Sequence, residues 1–363
     1  MKIIAIATGG SAGHVFPALC AALEFQSQGH EVFLIGSLGS CRKDKIIQLG
    51  FEFHELGARG LKGNIFQKFI AVLTQLRAAI RATGYFRRRK PDLVLGFGGF
   101  GAFPCVVAGW LLDKPVMIHE QNVKPGRANF LASYPARKIA VSFEEGKEEF
   151  SLKDKTVWTG YPCLALRDAL PEKIEVLRKL NLKEDHITIL AFGGSQGSQS
   201  INRAFLAAVA FLKVRYPIQV IHICGSNEDE WARKYSKLNI PFTVFEFYNH
   251  MSLLFAAADV VVARAGAGTT AEIIGFQKPC VLIPYPFAGG HQRHNAGVLR
   301  RHGVAEVIEE KDLTPENFKE AIEMMISRRG QLSENFQKLN PIPDQSAAQR
   351  LVKEALELIV QNE

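Results

Sequence analysis

The sequence has no CxxC pair, no DxD-like acidic pair in a loop beside its glycine-rich turns, and no stretch of about 18 uncharged apolar residues. The last absence excludes a membrane-spanning helix, and the first excludes the common zinc and thioredoxin-like frameworks. Cys20, Cys41, Cys105, Cys163, Cys224 and Cys280 mostly sit in apolar surroundings, the pattern of reduced, buried thiols in a cytoplasmic protein. Only a five-residue apolar run, Ile3 to Ala7, follows Met1-Lys2, too short for a signal peptide. Neither GxGxxG with an acidic residue about 20 positions on nor GxxxxGK[ST] occurs, so Rossmann dehydrogenases and P-loop ATPases are poor fits. Acidic residues are also missing from Leu61 to Lys90, where Lys62, Lys68, Arg77, Arg81, Arg87, Arg88, Arg89 and Lys90 stand. That one segment carries as much positive charge as the whole chain's net excess of +8.

What is present is an ordinary globular composition, 47% apolar and 22% charged, in 363 residues. At roughly 100 to 200 residues per domain, that length predicts two domains. Lys2 to Ala7 reads as a buried parallel strand, followed by the turn Thr8-Gly-Gly-Ser-Ala-Gly-His14, a helix from about Val15 to Gln28 and a strand at Val32 to Ile35. This is a βαβ unit, the beginning of a doubly wound sheet. Further strands fit Leu93 to Leu95, Val116 to Ile118, Lys138 to Val141 and Thr156 to Trp158, with the clearest helix at Asn64 to Ala82. A second cycle starts with the strand Ile187 to Phe192, the turn Gly193-Gly-Ser-Gln-Gly197 and a helix through about Leu212. Strands at Gln219 to Ile223, Thr243 to Phe245, Val260 to Ala263 and Cys280 to Ile283 follow. Gly160-Tyr-Pro162 marks the expected boundary, and Asn340-Pro-Ile-Pro-Asp344 precedes a last amphipathic helix of about Gln345 to Ile359.

The chemistry is expected in the turns. Glycines let backbone N–H groups approach an anion closely, and a helix starting directly afterwards adds the positive end of its dipole. Thr8 to His14, Gly193 to Gly197 and Gly266-Ala-Gly268 each have this form. A glycine turn that merely joins strand to helix tightly explains any one of them, but explains three together poorly. In Arg264-Ala-Gly-Ala-Gly-Thr-Thr-Ala-Glu272, glycines and hydroxyls suit phosphate oxygens, and a carboxylate one turn into the helix suits a ribose diol. Glu272 is alternatively a helix-start residue favoured by the dipole alone. His291-Gln-Arg-His-Asn295 offers amide and imidazole groups for sugar hydroxyls; as a metal site, His291 and His294 lack a third ligand nearby.

Thr8 to Pro17, Val94 to Gly99, His119-Glu-Gln-Asn122, Gly193 to Gly197, Arg264 to Glu272 and His291 to Ala296 together resemble, in order and from end to end, the MurG family of bacterial peptidoglycan N-acetylglucosaminyltransferases. The resemblance implies an α/β protein of the GT-B fold, two Rossmann-like doubly wound domains facing each other across a cleft. Residues 1–161 would form an acceptor- and membrane-facing domain and residues 162–340 a UDP-GlcNAc-binding domain, with residues 341–363 a helix returning to the first. The implied reaction joins GlcNAc from UDP-GlcNAc to the 4-hydroxyl of the muramyl sugar of lipid I, with inversion, giving lipid II and UDP. Carried over residue by residue, Ser195 contacts the donor, Gly266, Ala267, Gly268, Thr269 and Thr270 form the uridine and phosphate loop, and Glu272 binds the ribose. Gln292 is a sugar-binding amide, Asn122 reaches the donor from the other domain, and His14 lies near the diphosphate and reacting centre. Ser11, Ala12, Gly13, Asn129, Tyr248, Arg264, His291 and Asn295 complete the expected substrate-binding set. The sequence departs from the family pattern at Ser11-Ala12, at Leu164 where an arginine is common, at Gly268 beside the uracil and at His291. The implied partners are lipid I, the anionic inner-membrane surface on its cytoplasmic side, and other peptidoglycan-synthesis and division proteins; nucleic acid is excluded, because no aromatic stacking platform accompanies the basic run.

An inverting transfer needs a base for the acceptor hydroxyl and N–H donors for the departing diphosphate. His14 is the preferred base and Glu120 the alternative, and no protein-held metal or other cofactor is expected. Two other functions share the architecture: a GT-B transferase with a different lipid or small-molecule acceptor, and a UDP-GlcNAc 2-epimerase. In the Asn64 to Ala82 helix, Phe66, Phe69, Ile70, Leu73, Leu76 and Ile80 recur at helical spacing. The stripe either buries against the sheet with its cations solvated, or is exposed and grips a membrane surface together with them.

Overall fold

A computed structural model describes residues 1–38, 43–60, 63–166, 172–194, 197–339 and 346–361. The chain divides into two compact units, Met1–Leu164 with Asp344–Glu363, and Ala165–Pro343. Both are three-layer α/β sandwiches built on a wholly parallel sheet.

The first unit begins β1 (Ile3–Gly9), α1 (Ala12–Ser27), β2 (Glu31–Ser37), α2 (Lys43–Gln48), β3 (Phe53–Glu55) and α3 (Ile65–Arg89). It continues β4 (Leu93–Gly96), α4 (Phe103–Leu111), β5 (Val116–Glu120), α5 (Arg127–Ala132), β6 (Lys138–Val141) and β7 (Thr156–Trp158). Its strand order is β3-β2-β1-β4-β5-β6-β7, so the winding reverses between β1 and β4. The second unit contains α6 (Lys173–Lys179), β8 (Ile187–Phe192), α7 (Gln199–Leu212), β9 (Ile218–Ile223), α8 (Glu228–Ser236), β10 (Phe242–Phe245) and α9 (Met251–Ala257). After these come β11 (Val260–Ala263), α10 (Ala267–Gly275), β12 (Cys280–Leu282), α11 (His291–Arg301), β13 (Ala305–Val307), α12 (Pro315–Arg328) and α13 (Ser333–Leu339). Here the order is β10-β9-β8-β11-β12-β13, with the reversal between β8 and β11. A last helix, α14 (Ala347–Val360), belongs to the first unit.

The strands read as unbroken apolar runs because helices cover both faces of each sheet. In β1, Ile4 and Ile6 pack with α1 and α14 on one face, while Ala5 and Ala7 pack with α3 and α4 on the other, the alternation a strand requires. Leu351, Val352, Ala355, Leu358 and Ile359 of α14 are buried in that first cluster. At roughly 1.5 to 3 kcal/mol for each large apolar side chain, this contact accounts for several kcal/mol of the unit's cohesion. Arg350 of α14 donates from Nε to the Thr159 carbonyl, 2.9 Å.

The helix read at Asn64 to Ala82 runs on to Arg89. It starts at a capping box, in which Gln67 N donates to Asn64 Oδ1 and Asn64 N to Gln67 Oε1, and it stops at Lys90, whose φ of 49° cannot continue a helix. Its buried face is mostly small: Ala71, Ala78 and Ala82, with Tyr85 and Phe86 at the end. The large side chains point to solvent, Ile65 at 87%, Phe66 at 66%, Phe69 at 59% and Ile80 at 74% exposure. The stripe therefore does not close onto the sheet. The cations are not alike either: Arg89 pairs with Glu31 and Glu52 at 2.8 and 3.1 Å and lies over the Phe33 ring.

Each unit holds a fully buried histidine. His119 Nε2–H donates to the Gly160 carbonyl at 3.0 Å and Nδ1 accepts from Gln121 Nε2 at 3.2 Å. His222 Nε2–H donates to Asn202 Oδ1 at 3.1 Å, and Nδ1 accepts from the Tyr235 hydroxyl at 3.2 Å. Burial depresses His119 to about 4 and His222 to about 3, against 6.5 for an exposed imidazole. Between these values the unfolded chain binds protons that the folded chain refuses, so stability is full above pH 6.5 and falls as the pH drops toward 4. Denaturant melts across that window should lose up to about 1.4 kcal/mol per pH unit for each histidine. A melt independent of pH from 6.5 to 4 would contradict this account.

Candidate active site

In the first unit the loops after three neighbouring strands, β1, β4 and β5, meet at the reversal of the winding, where open α/β sheets bind their ligands. The first loop turns at Gly10, with φ 68°, and α1 starts at Ala12 with Ser11 as N-cap. Ser11 does not cap with its side chain; its hydroxyl lies 2.8 Å from His14 Nδ1. The N–H groups of Ala12 and Gly13 are left without intrahelical partners, as at any helix start. Gly99, with φ 74°, brings the loop after β4 against the His14 ring, where a Cβ would lie 3.3 Å from Nδ1. At Gly98 a Cβ would meet Asn129 Nδ2 at 2.7 Å. The glycines at 98 and 99 thus join the His14 and Asn129 loops, a role the sequence reading did not single out.

His14 Nδ1 is also 3.1 Å from the Gly9 carbonyl. A carbonyl only accepts, so the proton sits on Nδ1, and the lone pair that can act as a base is on Nε2. Desolvation lowers the His14 pKa, opposed by the charge of Glu120 and by the Gly9 bond; the ring is neutral at pH 7.

Glu120, 2% exposed, has a different task. Its Oε1 accepts from Asn122 N at 2.9 Å and Asn122 Nδ2 at 3.2 Å, and its Oε2 from Gly126 N at 3.1 Å and Asn129 Nδ2 at 2.8 Å. Four donors fill the acceptor positions of one carboxylate, leaving none for an acceptor hydroxyl. Glu120 organises residues 120–129 and lies close enough for its charge to act on His14. Asn129, 3% exposed, also donates to the His119 carbonyl at 3.0 Å and is part of this internal frame.

In the second unit the loops after β8, β11, β12 and β13 lie at the same edge of the sheet. α10 begins at Ala267, earlier than the sequence suggested, with Gly266 as N-cap, so Gly268 and Thr269 belong to its first turn. Glu272 is half-buried, its carboxylate has no hydrogen bond or ion pair among the described residues, and desolvation pushes it up to about 8. A carboxyl without a protein partner near the start of such a helix suits a ligand hydroxyl. The Thr270 hydroxyl, fully buried, is occupied by the Gly266 and Ala267 carbonyls at 2.9 and 3.0 Å. Asn295 is fully buried and donates to the Ala265 carbonyl at 3.1 Å, and Arg264 is 8% exposed and turned to the interior. Both belong to the expected substrate-binding set; in the structure the Asn295 amide donates to the Ala265 carbonyl, and the Arg264 guanidinium to the Ile283 carbonyl, Ser198 and Glu310. Gln292 Oε1 accepts from Tyr285 N at 2.9 Å, which leaves its amide nitrogen to donate, and half-buried His291 opens α11 beside it. Tyr248 rests on the Phe245 ring with centroids 4.6 Å apart. Ser195 lies outside the described residues. No group of three His, Cys, Asp or Glu side chains is placed to hold a metal ion among the described residues.

Two parallel sheets, each with glycine turns and helix starts at the reversal of its winding, define a protein of the GT-B fold, the architecture of many nucleotide-sugar enzymes. Residues 4–141 match the glycosyltransferase family 28 N-terminal domain and residues 188–353 the glycosyltransferase family 28 C-terminal domain. The UDP-N-acetylglucosamine–N-acetylmuramyl-(pentapeptide) pyrophosphoryl-undecaprenol N-acetylglucosamine transferase of Halothermothrix orenii is 35% identical over 338 residues, covering 90% of this chain and 91% of the relative. The crystal structure of Acinetobacter baumannii MurG is 26% identical and superposes with a TM-score of 0.78, covering 98% of this chain and 100% of that one. The UDP-GlcNAc 2-epimerase of Neisseria meningitidis, at 15% identity, a TM-score of 0.67 and coverage of 98% and 100%, shares the fold alone. The chain belongs to glycosyltransferase family 28, among the MurG-type N-acetylglucosaminyltransferases.

A neutral His14 with a free Nε2 should give kcat/KM an acidic limb below pH 6.5, because burial places its pKa under the ordinary value. His14→Ala should lower kcat by about 100-fold or more and abolish that limb, and a loss below about threefold would remove His14 from the catalytic role.

Proposed function

We propose that this chain transfers GlcNAc from UDP-GlcNAc to the 4-hydroxyl of the muramyl sugar of lipid I, inverting the anomeric carbon and giving lipid II and UDP. The observation that carries the reading is the 35% identity to the Halothermothrix orenii transferase across 90% of the chain. The site geometry agrees with it. His14 Nε2 takes the acceptor proton, the N–H groups at Ala12 and Gly13 and at Ala267 to Thr269 receive negative charge, and Glu272 holds the ribose. In this reading the diphosphate leaves without help from a protein-held metal. Glu120 and Asn129 shape the acceptor side, and Gln292 serves the hexose.

No helix among the described residues is long and apolar enough to cross a membrane. Lipid I carries a polyprenyl tail that stays in the bilayer, so the enzyme must come to the surface. The exposed stripe of α3 supports docking on the cytoplasmic leaflet through the segment Leu61 to Lys90, whose residues 61 and 62 lie outside the described set. Phe66, Phe69, Leu73 and Leu76 supply apolar grip there, and Arg87, Arg88 and Lys90 supply charge at roughly 1 kcal/mol each near an anionic surface.

Radiolabelled UDP-GlcNAc, a short-chain lipid I analogue and the protein in EDTA-containing buffer should yield labelled lipid II and UDP. UDP-ManNAc formed without UDP release would identify an epimerase, and activity restored only by Mg²⁺ or Mn²⁺ would refute the metal-free reading. For the membrane, the triple change Arg87→Gln, Arg88→Gln, Lys90→Gln combined with Phe66→Ser and Phe69→Ser should weaken sedimentation with phosphatidylglycerol-containing vesicles and leave UDP-GlcNAc affinity unchanged. Arg89 is left in place because it serves Glu31 and Glu52. Vesicle binding equal to that of the parent would overturn the docking proposal.

A further inference from the structure

Four of the loops at the C-terminal edge of the second sheet follow strands that are consecutive neighbours, β8, β11, β12 and β13. One side chain reaches all four. Arg264 leaves the end of β11, and its Nη1 donates to the Ile283 carbonyl at 3.2 Å, in the segment after β12. Its Nη2 donates to Ser198 Oγ at 3.0 Å, in the loop after β8, and to Glu310 Oε1 at 3.0 Å, in the turn after β13. Glu310 closes the arrangement by accepting from Ser200 Oγ at 2.6 Å, at the start of α7. The Arg264 guanidinium lies 5.5 Å from the Tyr285 ring centroid and its side chain is 10% exposed.

A buried guanidinium is retained only where its donors and charge are met, and removing one partner of such a pair leaves the other uncompensated. Here the carbonyls and the serine meet the donors, and among the described residues Glu310 alone brings the opposite charge: the Arg264 bond holds its carboxyl below the usual range, with Ser200 contributing. The segments so joined are those that carry the expected donor ligands. Tyr285, whose N–H fixes Gln292, directly follows the Ile283-Pro284 pair, and Arg264 itself begins the loop to Gly266 and Glu272. The contact ties these loops together before any ligand arrives, and preorganisation of loops lowers the ordering cost of binding.

We propose that Arg264 and Glu310 form a clasp across the edge of the second sheet, and that Glu310 is a positioning residue for the nucleotide-sugar loops. The proposal deepens the donor-binding reading of this unit and rests on it. Glu310 stands 46 positions after Arg264 and outside every glycine-rich motif, and it acts by fixing the guanidinium that spans the loops.

Two measurements on the full-length protein test it. Hydrogen exchange on the unliganded protein reads the clasp itself, whatever the donor. Glu310→Ala should speed exchange about fivefold or more at Gly197, Ser198 and 283–290, leaving β1 and α1 of the first unit unchanged. Steady-state kinetics read the consequence. Glu310→Ala should raise KM for UDP-GlcNAc about tenfold with kcat within about threefold, and leave KM for the lipid I analogue at the parent value. Glu310→Gln, which keeps an oxygen to accept from Arg264 and Ser200 but removes the opposite charge, should raise the donor KM by less than Glu310→Ala does. Unaltered loop exchange in Glu310→Ala overturns the clasp. Faster loop exchange with an unchanged donor KM leaves the clasp standing and overturns its role in donor binding. A parent protein that fails to bind UDP-GlcNAc at all, with the loops still loosened by the substitution, would instead locate the error in the donor reading.

Discussion

Loops leaving the C-terminal edge of a parallel sheet lose the ladder that satisfied their backbone, and the candidate site depends on a few buried side chains that replace it. In the first unit the replacement is the Glu120 carboxylate, which accepts from two backbone N–H groups and two asparagine amides. In the second it is the Arg264 guanidinium, a donor facing carbonyls, a hydroxyl and a carboxylate. The two solutions are opposite in charge and similar in effect. Hydrogen bonds to charged groups are worth about 1.5 to 3 kcal/mol, roughly twice the neutral kind, so one ionised group can fix several segments. The helix starts that follow the glycine turns keep N–H groups without intrahelical partners, as any helix start does.

Much of the fold was legible because parallel strands covered on both faces announce themselves as short apolar runs. Lys138 to Val141, Thr156 to Trp158, Ile187 to Phe192 and Val260 to Ala263 fall on strands with the expected bounds. Weakly patterned pieces escaped: β3 has three half-buried residues on a sheet edge, and α2 has a single buried side chain. Helix ends were misplaced where a glycine lies inside the first turn, as at Gly13 in α1 and Gly268 in α10, since glycine reads as loop in a sequence and is tolerated at a helix start in the chain.

At the site, the motifs mark loops at the C-terminal edges of the sheets, and they do not give the direction of a side chain. Spacing places Arg264 and Asn295 beside substrate, but it does not say whether a polar group points outward or back into the frame. Both are buried; Asn295 donates to a backbone carbonyl, and Arg264 to a backbone carbonyl and to the Ser198 and Glu310 side chains. Glu120 illustrates the same limit: a carboxylate near His14 has the residue type of a base, and only the four donors around it show that its lone pairs are taken. Glu310 carried no sequence signal, because its partner is distant in the chain and an acidic residue on a short turn is commonplace.

The direction of a helix face is ambiguous for the same reason, and α3 resolves it against the usual expectation. An amphipathic period tells that one stripe is apolar; it does not tell which of two apolar stripes meets the core. In α3 the competing stripe is Ala71, Ala78 and Ala82, and small residues allow the helix to approach α4 and the sheet closely while Phe66, Phe69 and Ile80 are turned out. Large apolar side chains exposed in a row of this kind suit a contact surface. The adjoining cations divide their duties. Arg89 is spent on Glu31, Glu52 and the Phe33 ring, while Arg87 and Arg88 also favour the negative end of the helix dipole over its last turn. Fewer positive charges than the sequence contains are therefore available to an anionic leaflet. On the membrane reading, the apolar face of α3 must supply the larger share of the attraction, and the basic run its orientation.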